Sequence, residues 1–423
     1  MPPKKSTTDS TKVKENQQTQ TQTQTQLIHD LYFDLTQKYK AQYGHNTILL
    51  LQVGSFFEVY GDKHGKTGAI DPQKSNIEAF KEACNLSIAE KSIQTPTGVL
   101  VMAGFRDYVL DKYLEKITDA GMTAVVYVQK KDPANGGKFI REYEATYSPG
   151  TFVSYDTDSS LQLSNNLMCI WIDTFSTKSS TEERLVCGMA NAHIFTGQST
   201  LFEYETGFWM NPTTFDELER YVSIFAPSEA ILITTTIRRE QLAKIQQYIG
   251  LRCHVHVHCA CDANSKNKET MSTRSESSQL LENCAKQIYM DQILSKHFGK
   301  TAFRACQEFQ MYPLATQAYC FLLDFIQQHN PDMVRKIDIP AFKNTSTRMV
   351  LANHTLKQLN IIEDGQEDGK KTGKYSSVAA MLNKCCTPMG RRKYHMQLTG
   401  PVFDEAWLQT EYDMTDEFIR EFF

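Results

Sequence analysis

The sequence lacks the long apolar run that a membrane helix needs. No uninterrupted hydrophobic stretch in its 423 residues reaches the roughly 18 residues required to cross a bilayer, and its beginning does not read as a signal peptide. The formal net charge is only −4, so the chain as a whole is not a basic polyanion binder. These absences predict a soluble intracellular protein in which any nucleic-acid surface is a local patch.

A dense cysteine framework is also missing. Eleven cysteines are scattered along the chain without the spacing of a small disulfide-stabilised domain, which predicts a reducing compartment. The nucleus, a mitochondrion and a viral replication site all fit this description. A hydrophobic content of 41% and a charged content of 22% are typical of a globular protein, and the length predicts two or three domains.

The common enzyme signatures are absent from the sequence. It contains no G-x-G-x-x-G, H-E-x-x-H or G-x-S-x-G, and residues 365–372 fall one residue short of the phosphate loop G-x₄-G-K-[ST]. Glu367 and Asp368 stand where phosphates would lie, so we interpret this stretch as a solvated turn. We predict no catalytic residues and no enzyme activity for this chain.

Three histidines alternate between residues 253 and 261. On a strand, His254, His256 and His258 would share one face and the neighbouring cysteines the other, so the two sets do not converge on one ion. The C-x₂-C spacing of structural zinc sites is absent. We prefer a half-exposed strand and predict no metal ligands, with a three-histidine metal site as the alternative.

The apolar patterns predict a mixed α/β multidomain chain. We expect a disordered low-complexity tail over 1–26, a small mixed α/β domain over 27–155 and an α/β domain with a central sheet over 156–264. A polar linker over 265–279 then precedes an all-helical part over 280–423.

Several element boundaries follow from local signals. In the first domain, a helix from Leu27 should end at Gly44, a second helix should cover 78–85, and 63–94 reads as an insertion-like loop of unassigned role. In the second domain, we predict a strand over 193–202 and a helix capped by a threonine at 213 or 214.

One aromatic stretch combines features suited to reading a nucleobase. Gly54 supplies a tight turn after an apolar strand, and in an extended chain Phe56 and Glu58 share one face while Phe57 lies on the other. A ring can stack on a base while a carboxylate accepts a hydrogen bond from it. The alternative is a hairpin whose aromatic residues belong to the core and whose glutamate is solvated.

Basic residues gather in the same predicted domain. Lys130 and Lys131 end a β-rich run, and Arg106 follows a predicted strand. Such residues would line an edge that contacts phosphates around Phe56, whereas a solvated surface is the competing interpretation.

Several separate stretches, in the same order along the chain, resemble the amino-terminal half of the MutS family of DNA mismatch-recognition proteins. Residues 54–60, GSFFEVY, are similar to the family segment G-D-F-Y-E-x-F, with its Phe-x-Glu pair at Phe56 and Glu58. Residues 103–129 resemble the pattern A-G-(I/V)-P…Y-L…G-x-x-V-A-x-x-x-Q, and residues 141–151 resemble R-x…T-P-G-T.

The resemblance continues in the second half of the chain. Residues 349–359 are similar to (L/M)-x-L-D-x-x-T-x-x-x-L, and residues 387–401 to T-x-M-G-x-R…P. The chain departs from the family where Ser55 and Asn353 replace aspartate and Gln397 replaces tryptophan. This divergence is similar to that of viral or organellar branches.

The resemblance implies roles for the aromatic stretch. Phe56 would wedge into the duplex from the minor groove, where unstacking costs roughly a few kcal/mol per step and least at a mismatch. Glu58 would hydrogen-bond the displaced base; phosphates repel a carboxylate, so binding would favour its protonated form or a strong donor on the base. Gly54, Arg106 and the lysine pair at 130–131 complete the expected DNA contacts.

The resemblance also implies an architecture and partners. The three predicted units correspond to a mismatch-reading domain, a connector and the start of the lever and core helices. The family's clamp and its ATPase, which uses ATP and magnesium, would lie beyond residue 423, so we expect a fragment or truncated reading frame without ATPase activity or cofactor. Expected partners are double-stranded DNA with mismatches or small loops and a MutS-type subunit in a homodimer or heterodimer, and no membrane.

A different class of function stays open. A protein-interaction or assembly module of MutS-like origin, which has lost mismatch recognition, would also account for Ser55 and the modest net charge.

Overall fold

The computed structural model describes residues 28–131, 139–152, 165–176, 182–251, 253–260, 276–342, 349, 356, 358–361 and 375–422. The predicted tail over 1–26, the turn at 365–372, Asn353 and most of the segment 349–359 lie outside the described residues, as does most of the predicted linker over 265–279.

The first unit is a six-stranded sheet with helices on both faces. Its elements are, in chain order, α1 (Ile28–Tyr43), β1 (Thr47–Val53), β2 (Phe56–His64), α2 (Ile77–Cys84), β3 (Ala89–Gln94), β4 (Gly98–Arg106), α3 (Leu110–Asp119), β5 (Thr123–Lys131) and β6 (Phe139–Tyr147). The strand order is β3-β4-β2-β1-β5-β6, and every pair is antiparallel except β1–β5.

Alternation along β2 directs its side chains toward different helices. Tyr60 meets Tyr32 of α1, with ring centres 5.2 Å apart. Phe57 points to the opposite face, where Phe105 lies between it and Phe80 of α2. Helices therefore cover both faces of the sheet, as expected for a strand whose residues are buried on both sides.

The predicted first helix is confirmed, since α1 ends at Tyr43 and Gly44 takes a φ of +97°. The helix predicted at 78–85 is confirmed as α2. The prediction of a loop over 63–94 is wrong, because this segment contains α2 and also β3, which pairs with β4 at the edge of the sheet. The polar sequence of β3 gave no strand signal, since an edge strand exposes most of its side chains.

The second unit is built around a mixed sheet. Its elements are β7 (Asn166–Ser176), β8 (Glu183–His193), β9 (Ser199–Gly207), α4 (Asp216–Phe225), β10 (Glu229–Thr234), α5 (Arg239–Tyr248) and β11 (His254–Cys259). The sheet order is β11-β10-β7-β8-β9, and a short strand β12 (Ala341–Phe342) extends the β9 edge. Strand β10 is parallel to both β7 and β11, while β7, β8 and β9 are antiparallel neighbours.

Two boundaries in this unit correct the sequence prediction. The strand expected from 193 begins only at Ser199, because His193 closes β8 and its backbone N–H donates to Gln198 O in a turn. The helix expected to start from a threonine cap is instead preceded by Asn211. The Asn211 side chain accepts from the backbone N–H of Thr214 at 3.1 Å, which starts a short 3₁₀ turn before α4.

Helices dominate the remainder of the described chain. They are α6 (Glu276–Cys284), α7 (Gln287–Phe298), α8 (Ala302–Ala305), α9 (Glu308–Met311), α10 (Pro313–His329), α11 (Pro331–Val334), α12 (Val378–Leu382), α13 (Pro388–Thr399) and α14 (Glu405–Phe422). The mixed α/β multidomain class is thus confirmed, whereas the exact domain limits stay predictions. No helix in the described ranges is both long and apolar enough to cross a membrane.

Helix α10 packs directly on the second sheet and shares one hydrophobic core with it. Gly188 of β8 permits the approach, since a Cβ there would lie 2.3 Å from the backbone N of Ala315. That same N–H donates to the Glu203 carboxylate of β9 at 2.8 Å. At the other end of α10, the ring of His329 lies 4.8 Å from the ring of Tyr43 in α1. The helix therefore touches both units.

Candidate nucleic-acid interface

The turn between β1 and β2 is fixed by its glycine and by β5. Gly54 has a φ of +62°, in the left-handed region that favours glycine. Its backbone N–H donates to Gln129 Oε1 at 2.9 Å, and the backbone N–H of Gln129 donates to Gln52 Oε1 at 2.8 Å. The hairpin tip is thus held in one position relative to the end of β5.

Phe56 begins β2 at this tip, and 42% of its surface is exposed. Its partner across the β2–β4 pair is Arg106, whose guanidinium carbon is 5.7 Å from the centre of the phenyl ring. The backbone N–H of Asp107 donates to Ser55 O at 3.0 Å, which ties the end of β4 to the turn. The site therefore presents an accessible ring with a cation beside it.

Phe57 and Glu58 differ from Phe56 in exposure. Phe57 is 2% exposed and belongs to the core, as predicted. Glu58 is only 8% exposed, so the alternative of a solvated glutamate is wrong. The hydroxyl of Tyr60 donates to Glu58 Oε2, and Lys91 Nζ of β3 lies 2.8 Å from the same oxygen. Burial, followed by the hydrogen bond from Tyr60 to Glu58, raises the pKa of Tyr60 well above its usual range.

The predicted basic residues fall into two groups. Arg106 lies beside Phe56, whereas Lys130 and Lys131 end β5, which runs parallel to β1 and so reaches the same edge as the Gly54 turn. Lys130 Nζ is 2.8 Å from the Glu142 carboxylate. This ion pair raises the pKa of the lysine and neutralises its charge. Lys131 Nζ instead lies 6.0 Å from the ring centre of Phe139.

Sequence reasoning missed two side chains near this surface. Lys91 was hidden in the presumed loop, and its contact with Glu58 depends on the order of three strands. Tyr108 is 77% exposed in the 3₁₀ turn that follows Arg106. The only sequence signal for Tyr108 was its position two residues after Arg106. That position places Tyr108 near Phe56 only once the β2–β4 register, which sets Arg106 opposite Phe56, is known.

A second polar cluster joins the two units. The carboxylate of Glu229 in β10 is fully buried. Its Oε2 accepts from Ser148 Oγ at 2.6 Å and from the backbone N–H of Gly150 at 2.9 Å, and its Oε1 lies 2.6 Å from His256 Nε2. Burial alone would raise the pKa of Glu229, but the hydrogen bond and the charge of His256 outweigh it and lower the pKa to about 2.

The same cluster bears on the histidine strand. Ligand atoms of Glu229, His254 and His256 all lie within 4.8 Å of one another, whereas the ring of His258 packs 5.3 Å from the ring of Phe321. Glu229 Oε2 already accepts hydrogen bonds from Ser148 and Gly150 of the first unit, and Oε1 is engaged by His256. Because those bonds use the oxygens a metal ion would need, the arrangement favours a structural clasp over the three-histidine site.

Comparisons with known proteins give a consistent group of relatives. No protein-family model matches the chain. The chain is 24% identical over 386 residues to a mutS homologue described as a DNA mismatch repair protein, from Acanthamoeba polyphaga mimivirus. It is 22% identical over 395 residues to the DNA mismatch repair protein MutS of Parabacteroides distasonis, and 22% identical over 414 residues to the mitochondrial mutS homologue of Sarcophyton glaucum.

These matches cover most of the chain and a smaller part of each relative. They span 89%, 92% and 90% of this chain, but 33%, 37% and 39% of the respective relatives. The chain therefore spans between about a third and two fifths of the length of the curated relatives it matches.

Proposed function

Because the chain is a divergent member of the MutS family, corresponding to an amino-terminal portion of those proteins, we propose that its first unit binds double-stranded DNA at mismatches or small loops. Phe56 inserts between base steps, and Glu58 accepts a hydrogen bond from the displaced base. The exposed position of the Phe56 ring at a fixed hairpin tip is the observation that carries this proposal.

The physical basis of discrimination is the cost of opening the duplex. Inserting a ring between paired bases costs roughly a few kcal/mol per step, and least where bases are already mispaired or unstacked. Stacking returns about 1–3 kcal/mol per base. Insertion is therefore favourable at a mismatch and unfavourable in a paired duplex, and Arg106 beside the ring supplies a charge for the adjacent phosphates.

The remaining roles follow from the same family membership. The second unit serves as a connector, and a MutS-type subunit is the expected partner in a homodimer or heterodimer. Residues 1–423 contain no G-x₄-G-K-[ST] loop, so we propose that this chain hydrolyses no ATP and needs neither ATP nor magnesium as a cofactor. ATP turnover that copurifies with the purified chain would contradict this part of the proposal.

Fluorescence anisotropy with a mismatched and a fully paired oligonucleotide tests the main claim. Wild-type protein should prefer the mismatched duplex, and Phe56→Ala should weaken mismatch binding roughly tenfold or more while leaving weak, salt-sensitive binding of both duplexes. Phe175→Ala is the matched control, because Phe175 is also 42% exposed but lies at the end of β7 in the second unit.

Two results would count against the proposal. Retention of the mismatch preference by Phe56→Ala would remove the wedge role. Failure of the wild-type chain to bind either duplex at low salt would favour an assembly module without DNA recognition, for which the ion pairs that occupy Glu58 and Lys130 are the supporting observation.

A further inference from the structure

The segment 63–94 contributes a charge to the candidate site from two strands away. Its last strand, β3, pairs with β4 and not with β2, yet Lys91 Nζ reaches Glu58 Oε2 at 2.8 Å. The residue opposite Glu58 on the intervening strand is Gly104, which has no side chain to cover the carboxylate. No β4 side chain therefore lies directly opposite the Glu58 carboxylate.

Both donors at Glu58 use the same oxygen. The Tyr60 hydroxyl and the Lys91 ammonium each contact Oε2, and no side chain or backbone group of the described residues donates to Oε1. The glutamate side chain is 10% exposed and the lysine side chain 31% exposed. One carboxylate oxygen is therefore held in place while the other keeps its capacity to accept a hydrogen bond.

Charge compensation matters at such a position. A lone carboxylate brought beside DNA is repelled by the phosphates, and it escapes that repulsion by taking up a proton. A carboxylate paired with an ammonium at 2.8 Å carries no net charge as a pair, so the repulsion is largely cancelled. The ring of Tyr60 lies 4.9 Å from the Lys91 ammonium and supports it on a second side.

Building on the proposed function, we infer that Lys91 is a positioning residue for base recognition. Lys91 holds Glu58 Oε2 and cancels its charge, so that Oε1 can accept a hydrogen bond from an unpaired base without first taking up a proton. The structured segment 63–94 thereby acquires a role: it delivers Lys91 to the site.

Apart from Lys91, only the Tyr60 hydroxyl contacts the Glu58 carboxylate in the described part of the chain. On β2 the neighbour is Tyr60, which stays a protonated donor because burial raises its pKa well above the usual range. From β6, the charge of Arg141 acts on Tyr60, and from α1 the side chain that meets Tyr60 is Tyr32, a neutral ring. On β1, the residue opposite Glu58 is Leu51.

The pH profile of mismatch preference tests this role on the full chain. Affinities for a mismatched and a paired oligonucleotide are measured by anisotropy between about pH 5.5 and 7.5, where the wild-type ratio should stay constant within about twofold. With Lys91→Met the ratio should rise as the pH falls, by up to about tenfold per pH unit, because one proton is then taken up on binding. Lys91→Gln, a second neutral variant, should give the same profile.

Three further variants separate this role from a structural one. Lys91→Arg keeps the charge and should restore the flat profile. The double variant Lys91→Met with Glu58→Gln should also be flat, because the group that takes up the proton is gone. Lys63→Met is the matched control, since Lys63 forms a 2.5 Å ion pair with Glu90 of the same strand β3 but does not contact Glu58.

The outcomes distinguish this inference from the proposed function. A wild-type mismatch preference combined with a flat profile for both neutral Lys91 variants would overturn the inference alone. A wild-type ratio that already rises at low pH would overturn it as well. Absence of any mismatch preference in the wild-type chain would overturn the proposed function and this inference together.

Discussion

Arg106 lies directly opposite Phe56 in the β2–β4 pair, with its guanidinium carbon 5.7 Å from the centre of the Phe56 ring. Arg106 makes no ion pair with any described residue, whereas Lys130 is held by Glu142 at 2.8 Å. Arg106 can therefore contact a phosphate directly, whereas Lys130 must first give up its ion pair with Glu142.

This difference predicts how each residue contributes to DNA binding. Arg106→Gln should weaken binding to mismatched and paired duplexes alike and should lower the slope of log affinity against log salt by about 0.9, the value for one phosphate contact. Lys130→Gln should change the slope less, because its ammonium must first leave Glu142. Salt titrations of both variants check the prediction, and equal slopes for Arg106→Gln and wild type would contradict it.

Removal of the buried clasp should cost stability. Glu229→Ala leaves Ser148, Gly150 and His256 without their acceptor in a dry environment, and breaking such a buried pair costs about 3–5 kcal/mol. Urea unfolding measures the loss. The control is Glu205→Ala, which breaks the half-exposed ion pair with Arg184 and should cost about 0–1 kcal/mol. Similar costs for the two variants would show that the clasp adds nothing.

The buried His329 and the partly buried His258 predict a loss of stability in mild acid. Burial lowers the pKa of His258 and of His329 to about 4, whereas a histidine in the unfolded chain has a pKa of about 6.5. The unfolded chain therefore binds more protons in this range, so stability is complete above about pH 6.5 and falls as the pH approaches 4.

Melting temperatures measured from pH 7.5 to 4.5 check this prediction. The wild-type value should decrease with pH, and His258→Gln should decrease less steeply because one of the two groups no longer titrates. A melting temperature that is independent of pH for the wild type would contradict the lowered pKa of both histidines. Below about pH 4.5, Glu229 should add a further loss of stability. Its pKa is lowered in the folded protein, so the ionised carboxylate stabilises the fold and this contribution is lost as the group is protonated.

The locally encoded parts of the fold were accessible from the sequence. The four-residue apolar repeat of α1 and its end at Gly44 are local properties, as are the turn at Gly54 and the burial of Phe57. The strand expected from His193 was misplaced because the apolar pair that follows it looks like a strand. The turn there is instead closed by the His193–Gln198 hydrogen bond and by Gly197 at a φ of +75°.

The features that the sequence did not predict depend on contacts between residues far apart in the chain. Glu58 and Lys91 meet only because β3 lies two strands from β2, and no pattern of alternation encodes that order. Glu229 and Ser148 are 81 positions apart, and their bond requires both sheets to be complete. The prediction for the histidine strand considered only residues 253–261. The carboxylate that contacts His256 belongs to Glu229 on another strand, so the local pattern did not reveal it.

Helix α10 is a mechanical strut between the two sheets. Its 17 residues make a rod about 25 Å long. Glu203 fixes the first turn to β9, and His329 at the far end meets Tyr43 of α1. A stiff rod with both ends attached does not absorb a displacement along its length. A movement of the first sheet that shifts α1 must therefore tilt helix α10 as a whole or break the Tyr43–His329 contact. A small displacement of the first unit would in this way change the packing of α10 against Gly188.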